Sequence, residues 1–194
     1  MTAQGSNRPY AEVIGDPIAQ SKSPDIHNFW LQRLGLDGDY RRCHVTAEGL
    51  ADYIAQRRGD PDWRGCNVTM PHKQAIMALV DAVDPAAQAI GAVNTVVRQA
   101  DGTLKGFNTD APGFLEPLLD ELSQPHLFRM ARIIGNGGAA RALVKALCDH
   151  GFVIVMFGRD PARARVLLDE LDPEGEHHVA PLSMLAEPTE FDFD

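Results

Sequence analysis

A glycine-rich turn between a short apolar strand and a helix constrains the fold of this chain more than any other feature. The turn, GNGGAA (135–140), follows the apolar pair Ile133-Ile134, and apolar residues at helical spacing come after it. A second apolar run at residues 152–157 follows the helix. Strand, turn, helix and strand in this order predict one βαβ unit, in which the two strands are parallel. Such a unit places the chain in the α/β class.

The same turn is a candidate binding site for a dinucleotide. It fits the pattern G-x-G-x-x-A, in which the first glycine makes the turn, the second lets the backbone approach a pyrophosphate, and the small last residue lets the helix pack close to the sheet. The backbone N–H groups at the start of the helix favour an anion. A strand–helix turn with a purely structural role is the alternative. The predicted cofactor-binding residues here are Gly135, Asn136, Gly137, Gly138 and Ala139.

The end of the second strand of this unit bears on which dinucleotide would bind. Enzymes that use NAD place an acidic residue at this point, whereas this strand ends in Gly158-Arg159-Asp160. A guanidinium suits the 2′-phosphate of NADP, so Arg159 is predicted to contact the cofactor, and NADP is favoured over NAD. Asp160 leaves two alternatives open, because it would either repel that phosphate or cap the next helix.

The N-terminal half predicts a separate α/β domain. Strand-like runs at 10–15, 39–45 and 63–68 alternate with helical patterns, and Ala100-Asp101-Gly102 predicts a hairpin. The first helix is predicted to begin at Ser23-Pro24, with the serine as its cap. The apolar face of that helix and the buried side of the second helix are, respectively, Ile26, Phe29, Trp30 and Leu34, and Leu50, Tyr53 and Ile54.

From residue 109 the pattern becomes one longer helix, which ends at Ser123-Gln124-Pro125. Its predicted buried stripe comprises Phe114, Leu115, Leu118, Leu119 and Leu122. We therefore divide the chain into a substrate-binding and catalytic domain (1–109), a connecting helix and linker (110–128) and a nucleotide-binding domain (129–194). The chain ends at EFDFD, a strand-like fragment.

Polar side chains stand where the strands of the N-terminal domain end. Because residues beyond the carboxyl ends of strands gather in one crevice, we expect them to lie close together. Uncharged hydrogen-bonding groups with one lysine and one aspartate suit a polyhydroxylated small acid. A solvated charge is the plain alternative for Lys73, and a helix cap is the alternative for Asp110. The set comprises Ser21, Ser23, Asn67, Thr69, Lys73, Asn94, Thr95, Asn108, Thr109 and Asp110.

Composition and charge argue against several other classes of function. The formal net charge is −9 and no basic stripe is visible, which argues against nucleic-acid binding. No apolar run approaches the roughly 20 residues that cross a bilayer, and no signal-peptide pattern is visible. Together with three distant cysteines, these features indicate a cytoplasmic protein with reduced thiols. The seven histidines show no metal-ligand spacing, and the serines lack a G-x-S-x-G elbow.

Five ordered blocks of this sequence resemble the shikimate dehydrogenase family. They are VIGDPIAQSKSPDIHN (13–28), GCNVTMPHK (65–73), GAVNT (91–95), GFNTDAPG (106–113) and GNGGAARA (135–142). The resemblance implies an α/β substrate domain joined to a Rossmann-type NADP domain. It also implies reversible, NADP-linked reduction of 3-dehydroshikimate to shikimate in aromatic amino-acid biosynthesis, by a monomer or homodimer.

Matched position by position, the resemblance also implies roles for the polar residues. Ser21 and Ser23 correspond to the pair that binds the substrate carboxylate. Lys73 corresponds to the catalytic lysine, and Asp110 corresponds to its catalytic partner. The positions that bind substrate hydroxyls are Asn67, Thr69, Asn94 and Asp110, and the cofactor positions are residues 135–139 and Arg159.

The chain departs from the family pattern at several points. Gln20 stands where a histidine is common, Asn136 where an alanine is common, and Gly158 and Asp160 flank Arg159 where Asn and Thr are usual. Family members continue past FDFD, so the resemblance implies a member that is truncated at its C-terminus. A quinate/shikimate dehydrogenase that tolerates NAD, and a shikimate-binding relative without activity, stay open as alternatives.

Overall fold

The computed structural model describes residues 8–125 and 127–186. The chain divides into two units, Met1–Asn108 and Thr109–Asp194. Each unit contains helices together with a sheet that has parallel strands, so the predicted α/β class is confirmed. The strand predicted at EFDFD lies outside the described residues. Within them, no helix is long and apolar enough to cross a membrane.

The first unit is built on a mixed sheet of six strands. They are β1 (Tyr10–Gly15), β2 (Asp39–His44), β3 (Trp63–Val68), β4 (Ala82–Val83), β5 (Thr95–Arg98) and β6 (Leu104–Phe107). Their order across the sheet is β2-β1-β3-β5-β6-β4. β1 pairs in parallel with both β2 and β3, and β5 and β6 form the antiparallel hairpin that was predicted around Asp101. The carboxyl ends of β1, β2 and β3 therefore meet at one edge of the sheet.

Three helices accompany this sheet. They are α1 (Ser23–Arg33), α2 (Leu50–Arg58) and α3 (Pro85–Ile90). The main core lies on the α2 side, where the three residues predicted for the buried side of this helix are all buried, against Ile14 and Trp63. On the other face of β1, Val13 packs with Tyr40 and with Leu31 of α1. Alternation along β1 thus separates the two layers, as a period of two requires.

Helix α1 forms where it was predicted, but Ser23 does not cap it. Lys22 occupies the cap position without a side-chain hydrogen bond. The Ser23 N–H instead donates to Oγ of Ser21 at 3.3 Å. The hydroxyl that accepts a hydrogen bond from the first N–H of the helix is therefore that of Ser21, two residues before Ser23.

The apolar face predicted for α1 is largely exposed. The exposed fractions are 46% for Ile26, 57% for Phe29, 53% for Trp30 and 70% for Leu34. A polar clamp fastens the helix instead: Nδ2 of Asn28 donates to the Tyr40 carbonyl at 2.7 Å, and the Tyr40 N–H donates to Oδ1 of Asn28 at 3.0 Å. The spacing of the apolar residues indicates that they lie on one side of the helix, but it does not indicate whether that side is buried.

A buried charge pair ties β1 to α2 in the first unit. The Glu12 side chain is 2% exposed, and Arg57 donates to its two carboxylate oxygens at 2.7 and 3.0 Å. The Tyr53 hydroxyl donates to the same carboxylate at 2.8 Å. Three charge-assisted hydrogen bonds thus compensate for taking this carboxylate out of water.

The second unit carries the predicted βαβ unit. Its parallel strands are β7 (Met130–Ile134), β8 (Val153–Gly158) and β9 (His178–Pro181), paired in the order β7-β8-β9. Its longer helices are α6 (Gly138–Cys148) and α7 (Pro161–Leu171), and two shorter ones, α4 (Asp110–Leu115) and α5 (Leu119–Leu122), precede β7. Val144, Ile154 and Leu168 are fully buried between helices and sheet. The sequence did not predict β9.

The single long helix predicted from residue 109 is wrong. The segment contains α4 (Asp110–Leu115), a 3-10 turn at Glu116–Leu118 and α5 (Leu119–Leu122), and none of its residues is buried. Pro117 is the reason, because proline has no N–H to donate and its ring clashes with the preceding turn of a helix. Phe114 nevertheless packs against the core of the second unit.

Candidate active site

The motif NVTMPHK is attached to the end of β1 by its backbone. The Thr69 N–H donates to the Ile14 carbonyl at 3.0 Å, and the Asp16 N–H donates to the Met70 carbonyl at 3.0 Å. This close approach depends on Gly15, because a Cβ there would lie 2.5 Å from Cγ2 of Thr69. Thr69, a predicted substrate-binding residue, is thus placed at the carboxyl end of β1.

Backbone hydrogen bonds also join Lys73 to the segment that carries Asn94. The Val93 N–H donates to the Lys73 carbonyl at 2.7 Å, and the Val68 N–H donates to the Asn94 carbonyl at 2.7 Å. The Asn94 side chain is buried and the Lys73 residue is partly buried. The sheet therefore brings Asn67, Lys73 and Asn94, which the sequence singled out separately, to the same edge.

The side chains at this edge form a hydrogen-bonded chain. The Tyr40 hydroxyl donates to Oδ1 of Asn67 at 2.6 Å, and Nδ2 of Asn67 donates to Oγ1 of Thr95 at 3.1 Å. The Thr95 hydroxyl donates to Oδ1 of Asn94 at 2.9 Å. Sequence reasoning missed Tyr40, because a tyrosine within a strand-like run carries no pattern that distinguishes it from a core residue.

The two predicted carboxylate-binding serines lie together at the start of α1, Ser21 in the preceding loop and Ser23 as the first residue of the helix. The Ser21 hydroxyl donates to Oγ of Ser23 at 3.2 Å. Nε of Arg42 donates to the Ser21 carbonyl at 2.7 Å, and its terminal nitrogen donates to the same oxygen. Arg42 also lies 3.8 Å from the carboxylate of Asp25. A guanidinium that the sequence did not single out therefore holds the serine loop and adds positive charge beside it.

The glycine turn of the second unit has the conformation that its pattern predicted. Gly135 has a φ of +100°, which favours glycine, and its N–H donates to the Phe157 carbonyl at 2.8 Å. Gly137 precedes the first residue of α6 and makes no side-chain cap. No atom beyond the neighbouring residues lies within 4 Å of a Cβ placed on Gly135 or Gly137. The turn is therefore uncrowded on the side to which these two Cβ atoms would point.

The turn after β8 shows that Asp160 caps the next helix, while its charge stays next to Arg159. Its Oδ1 accepts from the Ala162 N–H at 3.0 Å and from the Arg163 N–H at 3.3 Å, which makes it the cap of α7. Arg159 is exposed, and Gly158 is the last residue of β8. The carboxylate is therefore engaged at the helix end, one residue away from the predicted phosphate-binding guanidinium.

Comparison with known proteins identifies the family. A family model described as the shikimate dehydrogenase substrate binding domain matches residues 13–96. A shikimate dehydrogenase (NADP(+)) from Lysinibacillus sphaericus (strain C3-41) is 37% identical over 187 residues, which cover 91% of this chain and 67% of that protein. The chain belongs to the shikimate dehydrogenase family. The resemblance found in the sequence is thus confirmed.

Other members of the family agree. A shikimate dehydrogenase (NADP(+)) from Sphingopyxis alaskensis is 54% identical over 171 residues, or 87% of this chain and 61% of that protein. The crystal structure of the Thermus thermophilus shikimate 5-dehydrogenase in complex with NADP(H) and shikimate is similar with a TM-score of 0.75 and 40% identity, covering 91% of this chain and 64% of that one. The chain spans about three fifths of the length of the first two curated relatives, at 61% and 59%.

Of the two predicted catalytic residues of this shikimate dehydrogenase family member, Asp110 lies in the second unit. It is the first residue of α4 and Thr109 occupies the cap position, so the alternative of a helix cap at Asp110 is wrong. A carboxylate in the first turn is still favourable to the helix dipole. Lys73 belongs to the first unit and Asp110 to the second. Their meeting over one substrate hydroxyl stays a prediction.

Within the described ranges of this family member, one cluster has the donor atoms of a metal site, formed by Cys148, Asp172 and His177. The Ile154 N–H donates to Nδ1 of His177 at 3.1 Å, so Nε2 must carry the ring proton. Nε2 lies 3.0 Å from Oδ2 of Asp172 and 3.5 Å from Sγ of Cys148. A metal would need the lone pair of Nε2. The geometry therefore fits a hydrogen-bonded brace among α6, β8 and the loop after α7.

Burial and the Asp172 carboxylate raise the pKa of the Cys148 thiol to about 12. The thiol in this cluster is therefore protonated near neutral pH, and a protonated thiol is a weak nucleophile and metal ligand. The cluster belongs to the packing of the second unit.

Proposed function

We propose that the protein is an NADP-dependent shikimate dehydrogenase, which reversibly reduces 3-dehydroshikimate to shikimate. The observation that carries this proposal is the grouping, at one sheet edge of the first unit, of Asn67, Thr69, Lys73 and Asn94. Each matches a substrate position of the family. The names of the curated relatives and the ligands of the Thermus thermophilus structure support the same activity.

Two groups of polar residues in the first unit bind different parts of the substrate. Ser21 and Ser23 bind the substrate carboxylate through their hydroxyls, next to the positive charge of Arg42. Asn67, Thr69 and Asn94 bind the ring hydroxyls. Neutral donors and acceptors suit hydroxyl groups, which both donate and accept, better than a cluster of charges would. The first unit is thus the substrate-binding domain.

Lys73 and Asp110 are the proposed catalytic residues. Reduction of the ketone leaves an oxygen that must gain a proton, and a side chain within hydrogen-bond reach of that oxygen supplies it. The Lys73 ammonium is suited to this step and stabilises negative charge on the oxygen. The Asp110 carboxylate binds the same hydroxyl and orients the ammonium.

The residues of the second unit fit a dinucleotide. Gly135 holds the positive φ that the turn needs, and the open space at Gly137 leaves the N–H groups at the start of α6 accessible to a pyrophosphate. Residues 135–139 would hold that pyrophosphate, and Arg159 would hold the 2′-phosphate of NADP. When bound, the nicotinamide ring donates or accepts the hydride. The second unit is therefore the proposed NADP-binding domain, and the helix and linker at 110–128 lead into it.

The proposed partners are small molecules, and the proposed compartment is the cytoplasm. All three cysteines are free thiols, as expected of a reducing compartment. A monomer or a homodimer is compatible with this activity.

Turnover of the 194-residue chain tests the proposal. Shikimate and NADP⁺ are supplied, and NADPH formation is followed by absorbance. We expect Lys73→Ala to lower kcat by about 10²–10⁴-fold, the range for loss of a general acid or base, while the dissociation constant for NADP⁺ stays unchanged. Lys105→Ala is the matched control, because Lys105 is also partly buried but lies in β6 beside Asp84. Shikimate binding without turnover would identify a non-catalytic relative instead.

A quinate/shikimate dehydrogenase that tolerates NAD is the second candidate. The position of Asp160 favours it, because this carboxylate lies next to Arg159 and would repel a 2′-phosphate. Initial rates with shikimate and with quinate, each with NADP⁺ and with NAD⁺, separate the two. Comparable kcat/KM values for both acids and both cofactors would favour the second candidate.

A further inference from the structure

Tyr40 connects two strands that are not neighbours in the sheet. It lies in β2, is 5% exposed, and donates its hydroxyl to Asn67 of β3 across the intervening β1. Tyr40 is paired with Ala11 of β1, and Asn67 with Val13, so the two side chains emerge on the same face. Two strand spacings amount to roughly 10 Å, a span that a tyrosine and an asparagine together can bridge.

The hydrogen bonds in this chain run in one direction, from the Tyr40 hydroxyl through Asn67 and Thr95 to Asn94. The Asn94 Oδ1 can only accept, so the Thr95 hydroxyl has given its proton to it and can only accept from Asn67. Nδ2 of Asn67 therefore faces Thr95, and Oδ1 faces the Tyr40 hydroxyl, which donates. Burial raises the pKa of Tyr40, so the phenol stays a donor throughout the physiological range.

An amide can rotate by 180° and exchange its oxygen for its nitrogen. With Oδ1 held by Tyr40, Asn67 keeps two N–H donors on the side of Thr95, and only one of them is used by Thr95. Thr95 holds the nitrogen end of this amide, and the Tyr40 hydroxyl holds its oxygen end. Without the phenol, the amide would keep only one of these two anchors, and a proposed substrate-binding group would be less firmly placed.

The ring of Tyr40 makes a second link, to α1, whose first residue is Ser23. It stacks on the His27 ring, with centroids 4.1 Å apart and planes at 8°. Nδ1 of His27 donates to the Ser23 carbonyl at 2.8 Å. One buried side chain is therefore linked directly to Asn67 and, through His27, to Ser23.

We propose that Tyr40 is a positioning residue for substrate binding, which acts through its hydroxyl on the Asn67 amide. This inference rests on the proposed function, because it takes Asn67 to bind a hydroxyl of shikimate. Tyr40 itself does not touch the substrate. Its removal is therefore expected to change affinity for shikimate and to leave affinity for NADP⁺ unchanged.

Tyr40→Phe tests the proposal, since it keeps the ring and removes only the hydroxyl. We expect the dissociation constant for shikimate, measured by titration calorimetry on the 194-residue chain, to rise about 5–10-fold, in line with the loss of one hydrogen bond. Tyr10→Phe is the matched control. The Tyr10 hydroxyl donates to Asp60 at 2.6 Å, and neither residue belongs to the proposed site. The control should lose stability without losing affinity for shikimate.

A double-mutant cycle separates positioning from a general structural effect. If Tyr40 acts through Asn67, then Tyr40→Phe should not weaken shikimate binding further in an Asn67→Ala chain. An equal loss in both backgrounds would overturn the proposal while leaving the proposed function intact. Failure of the wild-type chain to bind shikimate would overturn both.

A measurement on the wild-type chain covers the case in which Tyr40→Phe does not fold. The side-chain amide signals of Asn67 are identified by their absence from the spectrum of Asn67→Ala. We expect one sharp N–H pair that shifts when shikimate is added. Two sets of signals, or a pair that does not respond to shikimate, would contradict an Asn67 amide that is held in one orientation at the shikimate site.

Discussion

Gly15 offers a direct test of how the site is held, because any side chain there would collide with a site residue. A Cβ on Gly15 would lie 2.5 Å from Cγ2 of Thr69, 3.0 Å from the Met70 carbonyl oxygen and 3.2 Å from Cδ1 of Ile18. Carbon atoms prefer separations of about 3.5–4.0 Å, so the overlap with Thr69 is about 1 Å. We expect Gly15→Ala to lower the free energy of unfolding of the first unit by about 1–3 kcal/mol. Affinity for shikimate should fall as well, since Thr69 must move.

The shortest contact is with one methyl group, so a second substitution that removes this methyl group should relieve most of the collision. Thr69→Ser removes Cγ2 and keeps the hydroxyl, and the Gly15→Ala/Thr69→Ser chain should recover at least ~1 kcal/mol relative to the sum of the single changes. Recovery should be partial, because the Met70 oxygen still lies at 3.0 Å. Gly65→Ala is the control without a suppressor: its φ is +150° and a Cβ would lie 2.1 Å from the Val96 carbonyl oxygen.

Urea unfolding followed by tryptophan fluorescence measures these effects in the first unit. Both tryptophans of the chain, Trp30 and Trp63, belong to that unit, and Trp63 is fully buried. Single changes that add within about 0.5 kcal/mol in the double variant would refute the reasoning, because independent sites behave that way.

Three further changes have expected outcomes. Glu12→Gln should lower the free energy of unfolding by about 3 kcal/mol, since it leaves the Arg57 charge without its buried partner; a loss below about 1 kcal/mol in urea unfolding would contradict this. Burial raises the pKa of the Cys66 thiol to about 12. The native state therefore favours the protonated thiol. The free energy of unfolding should fall as pH rises from about 8.5 towards 12, by up to about 2 kcal/mol at pH 10. Cys66→Ala should flatten that decline, and an unchanged pH profile in Cys66→Ala would contradict the prediction. Asp160→Asn keeps a side chain that can cap α7 but removes its charge. The ratio of NADP⁺ affinity to NAD⁺ affinity should therefore rise. An unchanged ratio in binding titrations would show that the carboxylate does not act on the 2′-phosphate.

Local patterns predicted the elements whose partners are close in sequence. The glycine turn at 135–140 and the apolar spacing after it predicted α6 and its flanking strands, because a helix between two parallel strands buries one side against the sheet. The hairpin at Asp101 followed from its turn residues in the same way. The strand ends predicted that Thr69 and Asn94, two proposed site residues, lie at one edge, because strands that share a sheet bring their ends together.

Features set by distant partners were not predictable from the pattern. The contact between Tyr40 and Asn67 spans 27 positions and crosses a third strand, so no local spacing contains it. The exposed face of α1 around Trp30 shows the same limit, since periodicity defines an apolar face without defining what contacts it. Pro117 is a different case: the apolar spacing predicts one continuous helix, but a proline has no N–H for it, and the helix is interrupted there.

We propose that shikimate binds among the strand-end side chains of the first unit. Titration of the ¹⁵N-labelled chain with shikimate, followed by amide chemical shifts, tests this proposal most directly. We predict saturable shifts at Ser23, Thr69 and Asn94, with later addition of NADP⁺ shifting Gly137 and Ala139. Saturable shifts confined to residues 130–181, or none at the strand ends of the first unit, would contradict it.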